Sequence, residues 1–234
     1  MINIDTVYQR VLAIANKEQR GYITPQEYNL LANTAQMEIF EEYFYDYDKA
    51  SKMPGTWNNL SDKLEIIEGK LHPFKKWRHG LAGDQLPSNL YRLEALYIKS
   101  GGIYTEVQRV DNRETQRMLK GVATGTPGLY LPTAKRPIFN YWHGNTVKVY
   151  RPALVANNLF IDYIKKPNKV EWGYVVTNEK ALYQPANSAD FQLHKSERVP
   201  LVYKILELAG ITIAKPGLSQ LGDKMEKDIV TTEK

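Results

Sequence analysis

Apolar positions recur every three or four residues over the first third of the chain and every two over the middle, and the helical period returns at the end. Val7, Val11, Leu12 and Ile14 fall on one stripe, which predicts a first helix capped by Asn3 or Asp5 and closed near Gly21. Thr24-Pro25-Gln26-Glu27 is the sharpest local signal. Thr24 is an N-cap, Pro25 sits at the first helical position, where its missing N–H costs nothing, and Glu27 is the reciprocal partner of a capping box. The helix that follows carries Tyr28, Leu31, Ala35, Ile39 and Tyr43 in line and closes over Phe44 to Asp48. A short glycine-containing link should fold the two helices into an antiparallel hairpin. Trp57 to Ile67 reads as a third helix, with Leu60, Leu64 and Ile67 aligned, and residues 68–87 read as irregular and basic.

From Pro87 the period changes. Tyr91–Lys99 and Ile103–Val110, split by Ser100-Gly101-Gly102, predict a β-hairpin. Asp111 can cap a short helix to Lys120, and Gly125-Thr126-Pro127-Gly128 is a loop. Pro137–Trp142 and Thr146–Tyr150 are strands about the turn His143-Gly144-Asn145, and Leu159–Lys165 is a strand stopped at Lys166-Pro167. After Ser196, the residues Val199, Val202, Leu206 and Ala209 give a helix. After Pro216, Leu218, Leu221, Met225 and Ile229 give a final amphipathic one. The fold class is therefore α+β: an N-terminal helical hairpin and C-terminal helices packed with a small antiparallel β-sheet or sandwich. One integrated chain is expected, with a helical part and basic loop at 1–86, a β-rich part at 87–195, and C-terminal helices at 196–234 that complete the helical part.

Composition narrows the chemistry. With 234 residues, 43% hydrophobic and 24% charged, the chain can build a core without staples. It has no cysteine, which excludes disulfide scaffolds, thiolate metal sites and thiol nucleophiles. No apolar run approaches a membrane span, and the first residues carry no secretory pattern. His72, His79, His143 and His194 form no zinc-enzyme spacing, and there is no nucleophile elbow, P-loop or dinucleotide fingerprint. Glu41 and Glu42 are adjacent on a helix and diverge by about 100°. Asp46 and Asp48 could ligate a hard cation but lack the regular oxygen ligands of a calcium loop. The residues thus argue against an enzyme, and no cofactor or metal is expected.

The net charge is +5. Lys70, Lys75, Lys76 and Arg78, interleaved with Phe74 and Trp77, have the form of a nucleic-acid patch, although Asp62, Glu65 and Glu68 offset them. The bland alternative is a solvated loop. Sixteen tyrosines suit either strands or interfaces.

Three stretches carry a family resemblance. Asp5 to Leu12 and Asn16 to Glu27 resemble the N-terminus of structural proteins of crAss-like and related marine podophages. Pro87 onward, through Val107-Gln108-Arg109-Val110, Arg113–Leu119, Pro137–Tyr141, Val147 to Pro152 and Ile161 to Pro167, looks like the β domain of the head–tail adaptors of short-tailed bacteriophages. These are also called ring, neck, gatekeeper or tail-tube A proteins. Pro200 to Ala209 resembles their C-terminal helix. The resemblance covers nearly the whole chain as layout and short strings. It implies a non-enzymatic virion protein of the neck or tail, made in the host bacterial cytoplasm. Its homo-oligomeric ring, typically a dodecamer, would bind beneath the portal, join capsid to tail and surround the DNA channel. The partners implied are further copies of the chain, the portal protein, the next tail ring or hub, and packaged DNA. In such adaptors the C-terminal segment reaches the portal or a neighbouring subunit, which implicates Leu218, Leu221, Met225 and Ile229. Lys70, Lys75, Lys76 and Arg78 become candidate channel contacts. A nucleic-acid-binding protein using residues 70–79 is the alternative, and a tail-associated hydrolase a third.

Overall fold

The computed structural model describes residues 1–17, 23–52, 57–123, 132–133, 135–150, 158–178 and 180–212. Its elements are α1 (Ile4–Lys17), α2 (Pro25–Lys52), α3 (Trp57–Leu71), β1 (Lys75–Gly80), β2 (Leu90–Ser100), β3 (Ile103–Glu106), β4 (Gln108–Arg109), α4 (Asn112–Ala123), β5 (Ile138–Trp142), β6 (Thr146–Tyr150), β7 (Leu159–Lys165), β8 (Tyr174–Thr177), β9 (Lys180–Tyr183) and α5 (Arg198–Thr212). The fold is α+β. Two compact units emerge, one from residues 1–73 with the chain from 167 on, the other from 74–166.

In the first unit each N-terminal helix starts on a side chain. Asn3 Oδ1 accepts the Thr6 N–H at 3.0 Å, and Asp190 Oδ1 accepts the Ile4 N–H at 2.9 Å. At α2 the capping box is complete: Glu27 N–H donates to Thr24 Oγ1 at 3.3 Å, and Thr24 N–H donates to Glu27 Oε2 at 2.9 Å. The hydrogen bonds from Thr24 hold the Glu27 carboxyl below its ordinary pKa. Helix α2 runs on past Asp48 to Lys52, beyond the expected close, because Lys49 and Lys52 complement the helix C-terminus and Lys52 pairs with Asp48 one turn back. Asp46 and Asp48 therefore lie inside the helix and not at its close.

Helices α1 and α2 do not pack along each other as the expected hairpin would. Tyr28, in the first turn of α2, donates its hydroxyl to Ile4 O at 3.2 Å and meets the Tyr8 ring at 4.6 Å. An antiparallel hairpin would set Tyr28 against the far end of α1. Helix α1 packs mainly on α5, and α2 along α3 and α5. Ile4, Val7 and Val11 of α1, Phe40 of α2, and Leu201 and Ile205 of α5 are fully buried in this unit.

Along α2 runs a stripe of amides. Asn33 Oδ1 accepts the Val170 N–H at 3.0 Å while its Nδ2 donates to Val170 O at 2.8 Å. Asn29 does the same to Trp172, at 2.8 and 3.3 Å. Gln36 donates to Asn168 O at 2.9 Å and accepts the Gln192 N–H at 3.1 Å. Five of these bonds strap residues 168–172 to the helix, and the sixth ties in Gln192. The chain after Pro167 consequently belongs with the helices and not with a β-rich part extending to 195. The strap delivers Trp172 against Tyr8, Tyr174 and Tyr183. It also brings Gly173 so close to Asn187 that a Cβ would lie 2.6 Å from Asn187 O. Beyond it, β8 and β9 form a hairpin that leaves Val175, Val176 and Leu182 exposed. The run of β-branched and aromatic residues flanking Asn178 (φ 50°) is its signal in the sequence.

The second unit holds a four-stranded antiparallel sheet in the order β1-β7-β2-β3 and a three-stranded sheet, β4-β5-β6, in which β4 is parallel to β5. Leu96, Ile98, Leu159 and Ile161 of the first share a buried cluster with Phe139 and Val147 of the second. The β2–β3 turn uses Gly101 (φ 58°) and Gly102 (φ 84°), left-handed conformations that glycine adopts without a Cβ penalty. The stretch expected to be an irregular basic loop contains β1. Lys75–Gly80 has no apolar alternation, and its strand exists through its pairing with β7 at the sheet edge. The predicted helix with Leu218, Leu221, Met225 and Ile229 lies outside the described residues.

Two stability experiments follow from this architecture. Thr24→Ala should destabilise by about 1 kcal/mol in thermal or denaturant melts. Adding Glu27→Ala should cost less than its effect alone, because the two caps are coupled. Since the Glu27 pKa is lowered by folding, its contribution is present above the ordinary carboxylate range and fades as pH falls through the lowered value. Asn33→Leu orphans the Val170 N–H and C=O together, so a loss of about 2–4 kcal/mol is expected in urea titrations. A neutral result would mean the strap contributes nothing.

Candidate nucleic-acid interface

Strand alternation in β7 sends Leu159, Ile161 and Tyr163 into the core cluster and Phe160, Asp162 and Ile164 to the opposite face. Register then places Tyr97 of β2 opposite Phe160, Lys99 opposite Tyr104 of β3, and Ala95 opposite Asp162. Arg78 reaches this face from β1 through a bulge between Lys76 and His79. Its φ of 51° is left-handed, a costly conformation for a side-chain-bearing residue. What holds it there is visible. The Arg78 N–H donates to Asp162 Oδ1 at 2.6 Å and its Nη1 to Oδ2 at 3.3 Å, so both ends of a buried carboxylate are satisfied by one residue.

The guanidinium lies 3.7 Å from the Tyr97 ring centre and 4.9 Å from that of Tyr104. A hydrogen bond with Tyr97 and then the Asp162 charge stabilise its protonated form. Lys99 Nζ stands 5.3 Å from the Tyr104 centre and 5.7 Å from that of Phe160, and no carboxylate among the described residues pairs with it. Lys75 covers Trp77 at 5.6 Å and lies 3.9 Å from Glu94. Trp77 is 59% exposed. In the opposite phase of the strands, with Tyr163, burial and the like charge of Lys76 pull the Lys165 pKa down. The second sheet repeats the theme: Arg109 sits over Tyr141 at 4.7 Å, and Lys148 over Trp142 at 4.6 Å and Tyr150 at 5.4 Å. The result is a set of cations fixed on aromatic faces, the form that tracks phosphates and stacks bases.

Charge is partitioned between the two units. Residues 74–166 contain fifteen lysines and arginines against six aspartates and glutamates, a net +9, which leaves −4 for the rest of a chain whose total is +5. Of the residues singled out from sequence, Lys75, Lys76 and Arg78 share β1. Lys70 does not belong with them. It closes α3 in the first unit, pairs with buried Glu197 at 2.9 Å and overlies Tyr43, so its charge is neutralised. Burial, then the charges of Glu197 and Glu42, keep the Tyr43 phenol protonated. Tyr97, Lys99, Tyr104, Phe160 and Asp162 were not singled out. Their signal is the outward phase of strands that are legible in the sequence.

Among the described residues no group of three or more histidines, aspartates or glutamates could hold a metal. His194 Nδ1 lies 2.9 Å from Ser196 Oγ, but the carboxylate of Glu197 accepts from the serine and does not orient the imidazole. That is the reverse of the order that activates a hydroxyl nucleophile. The His194 side chain instead caps a single helical turn by accepting the Ser196 N–H. No protein-family model matches the chain, and no curated protein is similar to it in sequence.

The strained backbone at Arg78 gives a direct test. Arg78→Ala and Arg78→Gly both remove the guanidinium, but only glycine tolerates the left-handed φ at no steric cost. The glycine variant should be the more stable by about 1 kcal/mol in chemical denaturation. Equal stabilities would show that position 78 relaxes out of this conformation once the arginine is gone.

Proposed function

We propose that this chain is a structural protein of the neck or tail of a short-tailed bacteriophage, assembling as a ring beneath the portal that joins capsid to tail and surrounds the DNA channel. The family resemblance along the sequence motivates the reading, and the division of charge carries it. A unit at +9 suits a polyanion, and a unit at −4 suits the basic unit of a neighbouring copy. Contacts between unlike surfaces are heterologous, and a heterologous contact that closes makes a cyclic ring. DNA in a channel must slide, which calls for contacts to phosphate that carry no sequence information. Cations parked on tyrosine and phenylalanine rings present charge to a duplex with less freedom than solvated lysines do.

A second reading, a nucleic-acid-binding protein without a ring, is favoured by the aromatic and cationic sheet face alone. Mass photometry of the purified chain with and without purified portal separates the two. At 24% charged residues and a mean hydropathy of −0.47, the isolated protein is expected to be mostly monomeric at low micromolar concentration. On the portal it should add the mass of a ring. No added mass on the portal, with DNA affinity that falls steeply with salt, would select the second reading.

A further inference from the structure

A cleft of about 380 Å³ opens where β4 stops at Arg109 while β5 continues to Trp142, and it is lined by Arg109, Val110, Asp111, Asn112, Asn140 and Tyr141. Asn140 is 3% exposed, and its Nδ2 donates to Asn112 Oδ1 at 3.0 Å. Its Oδ1 is buried and has no hydrogen-bond partner among the described residues. A buried acceptor left unmade carries a desolvation penalty, and such groups in native proteins call for an explanation. Asn33 and Gln36, by contrast, each use both ends of their amides. The orphaned oxygen of Asn140 therefore points to a donor from outside the chain.

A second cleft, of about 410 Å³, shares Asn112 and is lined by Arg113, Gln116 and Arg117. The two arginines are one turn apart on α4, and no carboxylate among the described residues pairs with either. Tyr141, 40% exposed, lines the first cleft. A donor group, a flat apolar surface and a phosphate are what one nucleotide offers to these three features.

We propose that the adjoining clefts bind a single unpaired nucleotide, with its phosphate on Arg113 and Arg117 and the amino group of its base on Asn140 Oδ1. The inference rests on reading the basic unit as facing nucleic acid, and it assigns that unit a contact that distinguishes bases. Cytosine, adenine and guanine carry an exocyclic amino group, and thymine does not. The nucleotide can belong to a single strand or be free. Both present the same chemistry.

Fluorescence anisotropy of the full chain with labelled oligo(dC) and oligo(dT) tests this. Oligo(dC) should bind about tenfold more tightly. Asn140→Leu should erase that preference; it also removes the bond to Asn112 Oδ1, so its melting temperature is measured beside the wild type to show that the fold persists. Arg113→Gln with Arg117→Gln, both on the surface, should weaken both probes about tenfold and reduce the salt slope by about 1.4. Displacement of oligo(dC) by equimolar dCMP identifies the free nucleotide as the ligand, and resistance to dCMP identifies the strand. Salt-dependent binding of both probes with no preference, no effect of Asn140→Leu, or equal displacement by polyglutamate overturns the base contact and leaves phosphate contact by the basic unit standing. Absence of binding to either probe removes both.

Discussion

A strand needs partners for its backbone, and for residues 168–172 one of them is the side-chain edge of a helix, while Glu171 pairs with the backbone of Ala189 on the other side. Asn29, Asn33 and Gln36 present amides to Trp172, Val170 and Asn168, in antiparallel order. The match works because two residues of extended chain advance about 6.6 Å, close to the roughly 5.4 Å of one helical turn. Three rungs fit before the two repeats drift apart. Everything that follows takes its place from this strap. Trp172 reaches the tyrosines of the helical core and donates its indole N–H to Asp5 at 2.9 Å. Phe191 exchanges backbone bonds with Ile2, at 3.1 and 3.2 Å, and Asp190 caps α1. A chain segment more than 130 residues away in sequence thereby closes the N-terminal helices.

The second unit solves a different problem, a high density of positive charge. Some of its cations are fixed on rings while others stand in solvent. Arg78, Lys75, Arg109 and Lys148 each lie against an aromatic ring, and a single buried carboxylate, Asp162, anchors the most constrained of them. Ring contact lowers mutual repulsion little, but it restricts where each charge can go. Backbone strain at Arg78 is thus offset by three things at once: a short N–H bond, an ion pair and two ring contacts.

Much of this was legible. The capping box at Thr24, the turn at His143-Gly144-Asn145 with its flanking strands, and β7 all follow from local pattern, because local forces decide them. What was not legible depends on partners distant in the chain. Lys75–Gly80 has no strand period and becomes a strand only because β7 offers an edge. Lys70 looks like a member of a basic run until Glu197 arrives from the far end of the chain. The places of α1 and α2 are set by their packing on α5 and by Tyr28, neither of which the link between the helices reveals. For the candidate interface, the strands were visible but their outward residues were read as strand composition. The pairing of Lys99 with Tyr104 needs a register, and a register needs both strands.

The amide stripe on α2 also bears on how descendants of this chain would look. Each of the three side chains uses both its oxygen and its nitrogen, so aspartate, glutamate, serine or leucine fails at one end or both. Gly173 is similarly intolerant, with Asn187 O where a Cβ would stand. In an alignment of relatives these positions would resist change while the residues around them drifted. Three invariant amides near an invariant tryptophan and glycine resemble a catalytic constellation. They would nonetheless mark a structural seam, and a search for chemistry there would be looking at the stitching.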